Sequence, residues 1–358
     1  MDHAGRRERL RARLPELGVE AMLVTRLVNV RYLTGFTGSN GQLVLTESED
    51  VFFTDSRYEE QARRQLPDVA REVYPRSFPK AFAGTCREAG LRRVAFEAAE
   101  VTVHTHRELT ESLEGELVPT EDQVERLRWV KEPPELELIA RAQSITDEAF
   151  DRLTAKLAGG MTERQAAFEL ELVMREAGAE RLAFESIVAF GENAAEPHHG
   201  PGDRELRGGD VVKLDFGCVV DGYHSDMTRT VAFGEPPPEL REVHEVVARA
   251  QRAGVEAVRP GTVGSEADRA ARDVIDEAGY GDRFGHSLGH GVGLEIHEGP
   301  TLRRESSDVL PEGTVVTVEP GVYLPGVGGV RIEDMVVVEA DGCRVLPRST
   351  RELVVLEP

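Results

Sequence analysis

The chain has 358 residues, 40% of them apolar, with 65 acidic against 43 basic side chains and a formal net charge of -22. That length exceeds one typical domain and favours two, each long enough to bury a core. The charge repels nucleic-acid phosphates and acidic membrane surfaces, and no basic run offsets it locally, so nucleic acid is not an expected partner.

The N-terminal stretch MDHAGRRERLRARLPELGVEAMLV carries charges but no apolar core of signal-peptide length. No later segment approaches the roughly 18 apolar residues that a membrane helix needs, and a cytoplasmic protein is expected. Strand candidates follow at VEAMLV (19–24), QLVL (42–45), VFFT (51–54) and RRVAFEA (92–98), separated by helical patterns such as SRYEEQARRQL. These predict a small α/β domain over residues 1–125. A charged, proline-marked stretch, ESLEGELVPTEDQVERLRWVKEPP, reads as the junction to a second domain over 130–358. Cys86, Cys218 and Cys343 are too few and too widely spaced for a disulfide framework or a cysteine-ligated metal, and read as buried or half-buried thiols.

The second domain contains an internal echo. PPEL at 133–136 opens a long helical pattern (Leu136, Ile139, Ala142, Phe150, Leu153, Leu157), and PPEL recurs at 237–240 before another. Each is followed by a second helix, TERQAAFELELVMREAG or SEADRAARDVIDEAG, that ends in Ala-Gly, where glycine suits a helix C-terminus. Each half then turns to strands, SIVAFG, VVKLDFG and YHSDMTRTVAF in the first, HGVGLEIHE, TVVTVEP and VRIEDMVVV in the second. The pattern predicts an α+β fold with two related halves, each laying a helix pair on one face of a shared, mostly antiparallel sheet.

Asp221-Gly222 is a strong signal for a two-residue hairpin, because both central positions of a type I′ turn need positive φ. With that loop, residue 220 faces 223, 217 faces 226 and 215 faces 228. Asp215 and Asp226 then lie on one face as diagonal neighbours, with Cβ atoms roughly 7 Å apart. Like charges held that close are costly unless something positive sits between them, and a divalent cation fits. The second half repeats the oddity, with Glu319 ending TVVTVE and Glu333 inside VRIEDMVVV, where Arg331 shares its face. Four strand carboxylates with His286, His290 and His297 from GHSLGHGVGLEIHE form an oxygen-rich donor set, suited to manganese, cobalt or iron rather than structural zinc, with manganese preferred. Four negative charges suit two such ions, which activate water and polarise a carbonyl, the equipment for amide hydrolysis.

LDFG, the second aspartate eleven residues after Asp215 in SDMTRT, GHSLGHGVGLEIHE, TVEPGVY and VRIED resemble, in order and spacing over residues 130–345, the metallopeptidases of the pita-bread (creatinase/aminopeptidase) fold. These are aminopeptidase P, prolidase and methionine aminopeptidase. The N-terminal third, with RYLTGFTGSNG and FFTDSRYEEQA, is similar to the smaller domain that precedes the catalytic one in the first two. The resemblance implies a curved sheet with pseudo-twofold halves. It implies that Asp215 chelates a first metal, Asp226 and Glu333 bridge two, and His290 with Glu319 complete the second. It makes His198, the histidine after proline in NAAEPHHG, rather than its neighbour His199, a proton-handling and substrate-contacting residue together with His297. His286 is placed near a proline pocket, Arg331 behind the metal carboxylates and Tyr323 near the site. The implied reaction is attack of a metal-bridging hydroxide on the carbonyl preceding a proline, with Glu319 relaying a proton and His198 and His297 stabilising the tetrahedral intermediate. Two divalent cations are implied, most favourably Mn2+, with Co2+, Zn2+ and Fe2+ as alternatives, and so is a homodimer. Short proline-containing peptides are the implied substrates. TGFTGSNG and TDSRY favour aminopeptidase P, which removes the residue preceding an N-terminal Xaa-Pro bond, with prolidase, an Xaa-Pro dipeptidase, as the alternative. A non-catalytic or creatinase-like member of the fold is the more distant reading.

Other motifs are weaker. GHSLG fits G-x-S-x-G, but a nucleophile elbow needs a strand before it and a helix after it, which YGDRF and GHGVGLE do not provide. DFG at 215–217 lacks the kinase phosphate loop, and H-E-x-x-H is absent.

Overall fold

The computed structural model describes all residues from Met1 to Pro358. They pack as two compact units, Met1–Arg128 and Trp129–Pro358. No helix is long and apolar enough to cross a membrane. All three cysteines are free, Cys86 and Cys218 buried and Cys343 half-buried.

The first unit is built on a mixed six-stranded sheet. Its strands are β1 (Ala21–Val24), β2 (Gln42–Thr46), β3 (Asp50–Thr54), β4 (Ala70–Val73), β5 (Arg93–Glu97) and β6 (Glu116–Thr120), in the order β4-β3-β2-β1-β5-β6. The four strands expected from β-branched and aromatic runs are β1, β2, β3 and β5. They supply the buried Leu23, Val44, Phe53, Val94 and Phe96, on which Phe82 and Leu109 pack from the helices Phe78–Glu88 and Val103–Ser112. The two strands without a sequence signal, β4 and β6, are the sheet edges. β4 is mostly exposed and β6 half so, and edge strands that face water on several sides carry polar residues where central strands carry apolar ones. β6 and the following helix Glu125–Trp129 fall inside the stretch read as a junction.

In the second unit the four expected helices span Pro133–Thr154, Glu163–Glu176, Pro238–Ala257 and Gly264–Glu277. Pro133 and Pro134 open the first long helix and Pro238 the second, after Pro237 at its N-cap, positions where a missing N–H costs nothing. Thr162 caps Glu163–Glu176 through a capping box with Gln165, and the helix stops at Gly178, whose φ of +99° only glycine tolerates well.

The strands of the first half are β7 (Arg181–Leu182), β8 (Ile187–Phe190), β9 (Asp210–Phe216), β10 (Cys218–Val220), β11 (Tyr223–His224) and β12 (Met227–Phe233). Those of the second are β13 (Gly289–Gly291), β14 (Glu298–Leu302), β15 (Val315–Val318), β16 (Gly321–Leu324), β17 (Gly328–Arg331), β18 (Asp334–Glu339) and β19 (Gly342–Val345), with β20 (Val355–Leu356) at the C-terminus. They form a four-stranded sheet, β20-β12-β9-β8, and a five-stranded sheet, β14-β13-β15-β18-β19, antiparallel except where β20 joins β12. Each helix pair covers its own half. Val212, Leu214 and Phe216 of β9 pack with Ile145, Phe150, Leu170 and Met174, whereas Val316 and Val318 of β15 pack with Val243, Val247, Ala271 and Ile275. The alternation along β9 therefore sends Lys213 and Asp215 to the face opposite the first helix pair. The segment HGVGLEIHE is not one strand. Residues 292–297 leave the ladder between β13 and β14, where the pairing shifts register after His290 and Gly291 lies so close to Gly299 that a Cβ would stand 2.2 Å from its carbonyl oxygen.

The hairpin register is the one that Asp221-Gly222 predicts. Both residues have positive φ (+46° and +81°), and Val220 pairs with Tyr223 and Asp215 with Thr228. The ladder breaks at Gly217 opposite Asp226, where β10 and β11 leave for a separate three-stranded sheet with β7. Gly217 allows this crossing, since a Cβ there would lie 1.9 Å from the carbonyl oxygen of Ser225. The second half has the same design. β15–β18 and β16–β17 share one register, with Val318 opposite Asp334 and Gly321 opposite Arg331, and the break falls at Glu319-Pro320 and Glu333. Gly217→Ala is therefore expected to lose about 2 kcal/mol of stability in urea unfolding, the size of an overpacking clash against backbone. Gly285→Ala, whose added Cβ meets nothing within 4 Å, is expected to stay within about 0.5 kcal/mol.

Candidate active site

The two ladder breaks set acidic side chains where strands end, on the face away from the helices. Asp215 lies near the end of β9, Asp226 just before β12, Glu319 just after β15 and Glu333 just before β18. With His290 of β13 they line a cavity of about 510 Å³, within the size range of small-molecule sites. Donor atoms of Asp226, His290 and Glu333 all lie within 4.8 Å of one another. His290 Nε2 stands 3.3 Å from Glu319 Oε1 and 3.6 Å from Asp226 Oδ2. Asp215 is turned toward Arg331, whose Nη2 donates to its Oδ2.

The electrostatics of this cluster are adverse to the chain alone. Burial pushes Asp226 well above the usual carboxylate range, and the charges of Glu333, Asp215 and Glu319 add to it. Glu333 is raised by burial and by Glu319 and Asp215. Asp215 is raised by burial, against the opposing pull of Arg331. Glu319 is the exception, because burial is outweighed by the hydrogen bond and charge of His290, with help from His286 and Arg331, which bring it down to about 2. The same pairing outweighs burial at His290 and raises it.

Behind the carboxylates lies a continuous hydrogen-bond network. Arg331 Nε donates to Thr228 Oγ1 at 3.0 Å, and that hydroxyl donates to Glu333 Oε2 at 2.7 Å. Arg331 Nη1 donates to the Tyr323 hydroxyl at 2.8 Å, which also bonds His286 Nε2 at 2.8 Å. Arg331 and Tyr323 thus orient the site residues from the rear, while His286 reaches the cavity wall. The buried pair Asp268 and Arg272 secures the segment carrying His286, with Arg272 donating to the carbonyls of Phe284 and His286, both at 2.9 Å, and Asp268 Oδ1 accepting from Leu288 N at 3.1 Å.

His198 and His297 line the same cavity. The His297 ring packs edge-on to His290, with centroids 4.4 Å apart, and burial, then the neighbouring His290, lower its pKa. His199 lines it too, but its ring is held on both sides. Its Nδ1 bonds Glu196 at 2.9 Å and its Nε2 bonds the buried Glu163 at 2.9 Å, so both ring nitrogens are engaged. Ser287, the centre of the G-x-S-x-G match, also touches the cavity but sits in a loop between a short 3₁₀ turn and β13, with no elbow geometry.

Several residues that build the site are absent from the sequence reading. Thr228 was accessible in principle, being the direct cross-strand partner of Asp215 in the predicted register. Lys213 shares the face of Asp215 by the two-residue period. Glu163 had no signal, since a glutamate in the first turn of a helix is ordinarily solvated, whereas this one is fully buried and accepts from Phe190 N, Asn193 Nδ2 and Gly202 N. Phe184, Ile187 and Ile296 supply apolar wall, and Arg303 stands at the rim.

The donor set fits divalent cations. Four carboxylates and one imidazole give the oxygen-rich environment of a hard or borderline ion, and the raised Asp226 and Glu333 mark where positive charge is needed for all of them to ionise.

Comparison with known proteins agrees with this architecture. Residues 137–340 match metallopeptidase family M24, and residues 6–130 match the creatinase/prolidase N-terminal domain. The chain is similar to the Xaa-Pro dipeptidase of Pyrococcus furiosus, with 34% identity over 98% of this chain and 99% of that protein. Among solved structures it resembles an Xaa-Pro dipeptidase from Bacillus anthracis, at TM-score 0.97 and 39% identity over 99% of this chain and 100% of that one. It also resembles an X-Pro aminopeptidase from Thermotoga maritima, at TM-score 0.89 and 37% identity over 96% and 100%. With its catalytic match spanning more than half of its length and its carboxylates converging as a metal site requires, the chain belongs to metallopeptidase family M24.

Proposed function

We propose that the chain is a metal-dependent Xaa-Pro dipeptidase whose site holds two divalent cations, Mn2+ before Co2+, Fe2+ or Zn2+. The observation that carries this reading is the convergence of Asp226, Glu333, Glu319 and His290 in one cavity, with Asp215 beside them. In it Asp215, Asp226, His290, Glu319 and Glu333 are the ligands. Bound cations supply a Lewis acid for the scissile carbonyl and lower the pKa of water toward neutrality.

The remaining chemistry falls to the side chains. An Xaa-Pro bond has a tertiary amide nitrogen without N–H, which must gain a proton as the C–N bond breaks. Glu319, held ionised beside His290, accepts the proton of the attacking water and passes it to that nitrogen. His297, kept neutral by burial, and His198 face the carbonyl and donate N–H to the oxygen that becomes negative. His286, fixed by Tyr323, forms a wall for the pyrrolidine ring.

Dipeptidase rather than aminopeptidase P specificity is favoured by the relatives named as Xaa-Pro dipeptidases, against the expectation drawn from TGFTGSNG. Arg303 supports it from the cavity wall, as an exposed cation available to a free substrate carboxylate, whereas Arg331 is committed to Asp215. The Thermotoga maritima neighbour, named an X-Pro aminopeptidase, keeps the second reading in play.

Hydrolysis of an Xaa-Pro dipeptide and an Xaa-Pro-Yaa tripeptide, with and without Mn2+, tests both. Mn2+-dependent cleavage with kcat/KM at least about tenfold higher on the dipeptide is expected, a preference of about 1.4 kcal/mol. Preference for the tripeptide returns the aminopeptidase reading, and cleavage of neither removes the function. Asp226→Asn is expected to lose bound metal and turnover while keeping its circular dichroism spectrum. His198→Ala is expected to keep metal, measured by elemental analysis, and lose about 100-fold in kcat, the range for one oxyanion donor or general acid–base group. Arg303→Ala is expected to raise KM for the dipeptide about tenfold with little effect on kcat, the pattern of a lost ground-state contact.

A further inference from the structure

Lys213 is fully buried on β9, two residues before Asp215 and on the same face of the strand. No carboxylate hydrogen-bonds its ammonium. Its Nζ instead donates to three main-chain carbonyls of one short segment, Ala194 at 3.1 Å, Glu196, and Pro197 at 3.4 Å. That uses all three N–H bonds of the ammonium on the residues that immediately precede His198. Arg331 Nη1 donates to the same Pro197 carbonyl at 3.2 Å. Further along the segment, Glu163 ties down Phe190, Asn193, His199 and Gly202, so His198 projects between two anchored neighbours. A buried ammonium is costly unless it is fully hydrogen-bonded, and Val211, two residues earlier on the same strand face, shows that an apolar side chain suits this strand. The second half carries the corresponding device. Thr317, two residues before Glu319, accepts from His290 N at 3.1 Å and donates to Glu319 Oε1 at 3.1 Å.

We propose that Lys213 is a positioning residue that acts through His198, locking the His198 segment onto the strand that carries Asp215 and so setting the distance between the carboxylate cluster and the imidazole across the cavity. The role rests on the proposed function only insofar as His198 contacts the substrate. Lys213 itself touches neither substrate nor reacting atoms.

The test is a double-mutant cycle on the Mn2+-loaded enzyme with an Xaa-Pro dipeptide. Lys213→Met keeps the stem and removes the donors. It is expected to retain metal and to lower kcat about 30-fold, with KM within about threefold, since a misplacement near 1 Å costs on that order. In the His198→Ala background the same change is expected to alter kcat less than about twofold, because coupled residues are non-additive. Lys213→Gln, with two donors, is expected to recover part of the loss, and it carries the cycle if the methionine variant does not fold. With diamagnetic Zn2+ in place of Mn2+, the Cε1–H signal of His198, assigned by its absence in His198→Ala, is expected to shift in Lys213→Met and return toward its wild-type position in Lys213→Gln. Equal losses in both backgrounds, wild-type kcat in Lys213→Met, or an unmoved His198 signal overturns the inference. Absence of wild-type turnover with a moved His198 signal overturns the proposed function and leaves the positioning intact.

Discussion

Mutual repulsion among buried carboxylates is the constraint around which the second unit is organised. Asp215, Asp226, Glu319 and Glu333 are all largely withdrawn from water, and three of them are driven toward the protonated form by that burial and by one another. A fold selected for stability alone would put valine or threonine at strand ends of this kind. The chain instead spends four acidic residues and a rear layer of Arg331, Thr228 and Tyr323 to hold them in place. Such a cluster is coherent only as a receptor for positive charge, and Arg331 supplies one such charge from the protein side, at Asp215.

The two halves meet this requirement by one architectural device used twice. Each hairpin runs in a single register that breaks where its carboxylates sit, so that the distal part of the hairpin leaves the main sheet and the acidic side chains occupy the gap. At the break, backbone that would otherwise pair with a neighbour is free to bend, and side chains from both strands turn toward a common centre. Gly217 stands at the break in the first half and Glu319-Pro320 in the second. Helix pairs on the opposite face supply the apolar burial that stabilises such a polar interior, with one core under the first half and a second that extends from the other half to Ala189 and Val211. Stability and chemistry are thereby divided between the two faces of the same strands.

His198 and His286 reach this centre from irregular segments and His290 from the short strand β13, and all three are secured from behind. Arg272 and Asp268 hold the stretch with His286, Thr317 holds His290, and Lys213 with Glu163 hold the stretch around His198. Loops positioned in this way by rigid strands combine backbone freedom with fixed side-chain placement. The contrast between His198 and His199 illustrates the cost of adjacency. Both line the cavity, but the ring nitrogens of His199 are both engaged by glutamates that hold the loop.

Local signals on the chain determined a large share of this protein. Asp221-Gly222 specified the turn, and with a two-residue period it specified that Asp215 faces Thr228 and shares a side with Asp226. The repeated PPEL and Ala-Gly marks placed four helices, and the central strands of the first unit were readable from β-branched and aromatic runs. The edge strands β4 and β6 were not, because exposure removes the apolar pattern that identifies a strand. Nor was the loop at 292–297 in HGVGLEIHE, where glycine spacing imitates alternation. Tertiary structure alone decided which groups act across long sequence distances. Glu163 meets His199, Lys213 meets the carbonyls of 194–197, and Arg331 meets Asp215, 116 residues away, because sheet packing and not sequence proximity brings them together. Periodicity encodes which way a side chain points, whereas the partner it finds there depends on the packing of elements far apart in the chain.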